Sequence, residues 1–156
     1  GTTNFLHGIP HFCISIGLKN KNEIISGIIF DPIKNEFFYA EKNQGAFFNN
    51  HRIKVSKKKD LDECLFSTNK DGLSVSNLNC RILGSAALDL AYVASGRIDG
   101  YYQKGLNLWD IAAGILIVKE AGGIINEFDL SQSSNIKLIA SSENINAKML
   151  EKLNKF

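Results

Sequence analysis

The sequence predicts a layered α/β (α+β) sandwich in which a sheet meander is followed by alternating helices and strands. Three observations carry that reading. From Phe12 to Val55 the chain is rich in aromatic and β-branched residues, broken by turn formers. Beyond Ser85 the apolar residues cluster at helical spacing, between short strands. The stretch Ile111 to Val118 is apolar almost all round, so a helix there must be covered on both sides, as a sandwiched layer.

Within the meander, strands are expected near 11–18, 23–30, 36–41 and 45–48, with Asp31-Pro32, Asn43-Gln44-Gly45 and Asn49-Asn50 as the turns between or after them. Cys13, in the apolar run Phe12 to Leu18, reads as a small core residue. Lys57 to Asn79 is polar and reads as a loop region between two halves, with Cys64-Leu65-Phe66 as one short strand. Ala86, Leu88, Leu90, Ala91, Tyr92, Val93 and Ala94 then crowd between Ser85 and Gly96, a Ser N-cap and Gly C′ pattern that marks a helix. Ile98 to Gln103 follows as a buried strand. Trp109 to Ala121 is a second helix, stopped by Gly122-Gly123, and strands are expected near 124–128 and 136–141. Ser142-Glu143 opens a last helix that sets Ile145, Met149, Leu150 and Leu153 on one face.

Composition narrows the function classes. With 156 residues, 44% of them hydrophobic and 22% charged, the chain can bury a core, which argues against disorder. A net charge of +2 with scattered Lys and Arg leaves no broad footprint for nucleic acid, so direct nucleic-acid binding is not expected. The run Lys57-Lys58-Lys59 reads as a solvated turn. Three cysteines at wide spacings (Cys13, Cys64, Cys80) fit neither a disulfide framework nor a zinc site. The apolar stretch at 111–118 is far too short to cross a bilayer and no basic-then-apolar leader opens the chain, so a cytoplasmic protein without a membrane partner is expected.

Three stretches put small residues and polar groups at the ends of elements. In Gly1-Thr2-Thr3-Asn4-Phe5, the Thr2 hydroxyl can orient a water and Gly1 and Thr2 offer backbone donors. In Gly84-Ser85-Ala86-Ala87, Gly84 lets a ligand approach the backbone and Ser85 opens a helix, either as an anion seat or as an ordinary N-cap. In Trp109-Asp110-Ile111-Ala112-Ala113-Gly114, Asp110 sits in a first helical turn that favours its ionised form, either to bind Mg²⁺ or to stabilise its own helix. His7 and His11 are four apart, but Gly8 and Pro10 argue against a helix between them, so a structural or surface role is expected.

Taken in order, these stretches resemble the inositol monophosphatase family. Gly1-Thr2-Thr3-Asn4-Phe5-Leu6-His7-Gly8-Ile9-Pro10 is similar to the second half of the family's Asp-Pro-x-Asp-Gly-Thr-x-Asn-Phe signature and its continuation. Trp109-Asp110-Ile111-Ala112-Ala113-Gly114 resembles its Trp-Asp-hydrophobe-Ala-Ala-Gly signature, and Gly84 to Tyr92 resembles the bacterial members. The resemblance implies a sandwich of alternating helix and sheet layers, present here as a single partial domain over 1–156. That domain comprises the end of the first signature with the meander over residues 1–56, a variable and shortened loop region over 57–83, and a C-terminal α/β region over 84–156. It further implies a homodimer that hydrolyses inositol 1-phosphate or a similar polyol or sugar phosphate by a metal-activated water. Asp110 then matches a Mg²⁺ ligand, Thr2 the hydroxyl that orients the attacking water, Gly1 and Thr2 the phosphate contacts, and Gly84, Ser85 and Ala86 the lining of the substrate ring. Gln103 stands where many members carry a Glu that bonds a substrate hydroxyl, and it can make that bond without the charge.

The resemblance also implies absences. The aspartates of the first signature and the acidic residues before it lie outside this chain, so the piece by itself is expected to be inactive or nearly so, to expose the apolar meander and to aggregate. Between Ser67 and Gly84 a helix and a strand usual in the family are expected to be missing. An alternative role, as a partner of RNA-processing or transcription machinery, rests on bacterial relatives and on Arg81 ahead of Gly84.

Overall fold

The structure, a computed structural model, describes residues 1–74 and 77–154. Its first sheet is an antiparallel meander of β1 (Ile14–Asn20), β2 (Glu23–Asp31), β3 (Glu36–Glu41), β4 (Gly45–Phe48) and β5 (His51–Ile53), paired in chain order. Several of its tight turns take left-handed backbone at asparagine, among them Asn35, Asn43, Asn49 and Asn50, a residue that tolerates it. The second sheet is mixed: β6 (Phe66–Ser67), β7 (Cys80–Arg81), β8 (Gly100–Leu106), β9 (Gly123–Ile125) and β10 (Ile136–Ser142), in the order β7-β6-β8-β10-β9. Helices α3 (Ala86–Ala94) and α4 (Leu108–Glu120) lie between the sheets, and α5 (Glu143–Lys152) covers the far face of the second.

Register explains how α4 beds down on the meander. Gly17 pairs with Gly27, Gly27 with Ala40 and Ala40 with Ala46, so one column of small residues crosses four strands. A methyl group on Gly27 would stand 2.8 Å from the Ala113 carbonyl oxygen, and one on Gly17 would stand 2.9 Å from the Ala112 side chain. The helix backbone therefore rests on a groove that side chains would fill. Strand alternation divides the second sheet in the same way: Tyr101 enters the core shared with α3 and α4, while Tyr102 enters the one under α5 with Phe66, Ile139, Ile145 and Met149. As expected, α4 is a sandwiched helix whose Ile111 and Ile117 are fully buried. Gly96 and Gly122 follow α3 and α4 with φ of 71° and 84°, as the glycine stops predicted.

Several expectations are corrected. β1 starts at Ile14 rather than 11 and runs to Asn20 through an irregularity at Leu18/Lys19. Cys13, ahead of the paired stretch of that edge strand, is half-buried and packs against the main core, as a core-side residue at its margin. Ile14, Ile16 and Leu18 are 55%, 58% and 56% exposed on the sheet face turned away from α4, which agrees with the expected open apolar meander. The loop region 57–83 is more structured than its polarity predicts. Asp60 caps a short 3₁₀ turn over Leu61–Glu63, Asn69 caps the single-turn helix α2 (Lys70–Leu73), and β7 closes the sheet edge. Val75 and Ser76 of that predicted loop lie outside the described residues. The strand near 64–66 falls at Phe66–Ser67, and that near 124–128 ends at Ile125, where the Asn126 side chain bonds the backbone of Lys137 and Ile139. Leu150 is 43% exposed and stands off the buried face of α5, unlike Ile145, Met149 and Leu153. Thr2–Leu6 form a one-turn helix, α1, that no sequence signal announced. Among the described residues, no helix is long and apolar enough to cross a membrane.

Candidate functional site

The three stretches, up to 109 positions apart in sequence, meet around one cavity of about 510 Å³. Gly1 and Thr2 reach it from the start of α1. Gly84, Ser85 and Ala86 reach it from the start of α3, Gln103 from β8, and Asp110 from the first turn of α4. Asn4 joins the first stretch to the second. Its amide donates to the carbonyls of His11 and Leu83, each at 2.9 Å, and lies against Gly84. Gly84 has φ of 83°, and a side chain there would begin 2.9 Å from the Asn4 amide nitrogen.

Ser85 occupies the N-cap position of α3 in extended backbone, yet its hydroxyl makes no capping bond and lies 3.8 Å from the Cys13 sulfur. Among the described residues, the N-cap side chain thus leaves the first turn of α3 uncapped at the cavity wall. Burial pushes the Cys13 thiol up, so it stays protonated. Asp110 accepts from the Asn107 amide at 3.3 Å through one carboxylate oxygen, and its second oxygen makes no protein hydrogen bond among the described residues. Tyr101 donates to Gln103 Oε1 at 3.0 Å, which leaves the Gln103 NH₂ to face a ligand. Burial and the neighbouring carboxylates of Asp89 and Asp110 raise the Tyr101 phenol well above its ordinary value, so it remains a donor.

The donor set suits a hard cation in part. Asp110 supplies one free carboxylate oxygen, and Mg²⁺ often takes only one or two carboxylates, with waters and substrate phosphate filling the octahedron. Among the described residues, no three His, Cys, Asp or Glu side chains converge to hold a metal. His7 bonds the Thr3 carbonyl on the surface, and His11 packs against Tyr92 with its basicity lowered by burial, so both have the structural or surface roles expected.

Sequence reasoning passed over Ser15 and Asp89, which line the same cavity. Ser15 carries no local signal, since it is one polar residue in an apolar strand. Asp89 did carry one: it is an acid inside the dense apolar cluster of α3. A second cavity of about 440 Å³ lies between the β2 and β9 ends, floored by Ile24, Leu116 and Phe128, and holds none of the predicted site residues.

The profile of the inositol monophosphatase family matches residues 1–155. An inositol-1-monophosphatase from Mesorhizobium japonicum is 38% identical over 172 residues, covering 99% of this chain and 65% of that protein. The Nus factor SuhB of Pasteurella multocida is 39% identical over 170 residues, covering 98% of this chain and 64% of its own length. Among solved structures, the Thermotoga maritima IMPase superposes with a TM-score of 0.90 at 39% identity, over 99% of this chain and 65% of that one. The Bartonella henselae extragenic suppressor protein suhB gives 0.89 at 41%, over 99% and 68%. The chain thus spans about two thirds of the length of these relatives. With its three motifs gathered at one cavity and a family profile matched nearly end to end, the chain belongs to the inositol monophosphatase family.

Proposed function

We propose that this chain forms a portion of a Mg²⁺-dependent hydrolase of phosphate monoesters, acting on inositol 1-phosphate or a similar polyol or sugar phosphate. The observation that carries the reading is the meeting of Thr2, the uncapped start of α3, Gln103 and Asp110 at one polar cavity. Mg²⁺, when bound, lowers the pKa of a water and neutralises phosphate oxygens. The chain's own groups bind and orient. Asp110 offers its free oxygen to the cation, and the Thr2 hydroxyl fixes a water. The backbone N–H groups of Gly1, Thr2 and the α3 start receive substrate oxygens, and the Gln103 amide meets a substrate hydroxyl. A cytoplasmic homodimer belongs to the same reading.

Phosphate release from inositol 1-phosphate, measured against Mg²⁺ concentration, tests it. The assay uses the 156-residue chain and the protein extended to the length of its relatives. The extended protein is expected to release phosphate in proportion to bound Mg²⁺. Asp110→Asn should lose about 100-fold, the scale of one charged ligand to a catalytic cation. The short chain should show little activity. No release from the extended protein would overturn the assignment and favour a binding role, the direction in which relatives called Nus factor SuhB point.

A further inference from the structure

Asp89 is an anomaly in the helix that carries it. Its neighbours Leu88, Leu90 and Ala91 are fully buried apolar residues, and Asp89 is itself only 2% exposed. Its Oδ1 is buried and has no hydrogen-bond partner among the described residues. Ser67, fully buried at the end of β6 and paired in register with Tyr101, has a hydroxyl that acts on Asp89, but the two make no hydrogen bond of good geometry among the described residues. Other polar groups nearby are committed elsewhere: the Tyr101 hydroxyl donates to Gln103, and the Cys13 thiol lies against Ser85.

A buried carboxyl without a donor is costly, and native structures rarely keep one unless a ligand supplies what the protein does not. Asp89 lines the site cavity, and so does Ser15, whose hydroxyl is likewise buried without a partner among the described residues. Apart from the Ser67 hydroxyl, no protein donor reaches this carboxyl among the described residues. A phosphate group carries almost no donors at neutral pH, whereas the polyol or sugar bearing it carries several hydroxyls.

We propose that Asp89 is a substrate-contacting specificity residue whose carboxyl accepts a hydrogen bond from a hydroxyl of the polyol or sugar moiety. This rests on the polyol-phosphate reading of the cavity. It gives the wall formed by α3 a role beyond that of the backbone at Gly84 to Ala86: Asp89 selects ring hydroxyls and leaves the phosphate to other groups.

The test compares Asp89→Leu, which removes the acceptor while keeping the branched shape, with Asp89→Asn, which keeps an acceptor oxygen, both in the extended protein. KM is measured for inositol 1-phosphate and for p-nitrophenyl phosphate, whose leaving group has no ring hydroxyl. For Asp89→Leu, the ratio of the two KM values should move about tenfold against inositol 1-phosphate, the scale of one hydrogen bond to a buried polar group, and Asp89→Asn should recover most of it. Melting curves establish that each variant folds, and Asp89→Ala replaces Asp89→Leu should the latter not fold. Equal changes for both esters, or none, would overturn the proposal. Wild-type protein that hydrolyses neither ester would sink the phosphatase reading instead. Calorimetric binding of inositol 1-phosphate then decides for Asp89: weaker binding by the leucine variant sustains the contact, while equal binding, or none by wild type, overturns it.

Discussion

Asn4→Ala removes two hydrogen bonds with one truncation. Both are 2.9 Å long and part-buried, and they hold the carbonyls of His11 and Leu83 to a single amide. Each bond contributes about 1 kcal/mol net, and the two carbonyls lose their partner in a partly buried place, so about 2–3 kcal/mol of local stability is at stake. At about 1.4 kcal/mol per factor of ten, the population in which α1 has left the start of α3 should rise roughly 50-fold. Native-state hydrogen exchange reads this directly at the amides of Phe5 and Ile9, which bond to the carbonyls of Gly1 and Asn4. Both should exchange faster by that factor, while amides inside α4 should keep their protection unless global stability also falls. Asn4→Asp provides a sharper version, because its carboxylate cannot donate to either carbonyl. Unchanged exchange at Phe5 and Ile9 in both variants would refute the argument that Asn4 ties the first motif to the second.

Two further outcomes follow from burial and close packing. Asp89 has its pKa raised to about 7 by burial, against the opposite pull of the Ser67 hydroxyl. A carboxyl moved that far from its ordinary range favours the folded state by up to about 4 kcal/mol, a contribution complete below pH 4 and lost as pH rises to 7. Urea unfolding of Asp89→Asn beside wild type, from pH 4 to 8, should therefore show the variant gaining relative stability as pH rises, and parallel curves would contradict the raised pKa. Gly27→Val forces a side chain to within 2.8 Å of the Ala113 carbonyl. It should cost about 1–3 kcal/mol or more, or several degrees in thermal midpoint, and an unchanged melt would show that α4 yields without strain.

Much of the architecture was legible because its signals are local. Asparagines and glycines at the turns, the β-branched and aromatic strands and the glycine stops after α3 and α4 act over a few residues, and the elements form near where they predict. Errors fall where distant partners decide. Leu150 is apolar by composition but lies on an outer helix face, and only packing tells an outer face from a core. Not every miss is of that kind: α2 and the turn at Leu61–Glu63 are held by the local caps of Asn69 and Asp60, which polar composition hid, and only β7 depends on a strand partner, β6, across the intervening segment.

The sequence by itself determined the layered fold class, the family resemblance and the three motifs, since these depend on residue identity and short spacing. Only the tertiary structure decided that the motifs share one cavity, that Asn4 joins two of them, that a column of small residues seats α4 on the meander, and that Asp89 is buried at the cavity wall. The physical reason is that hydrogen-bond satisfaction and close approach depend on groups far apart in the chain: Asn4 and Leu83 are 79 positions apart, and no local pattern records that they touch.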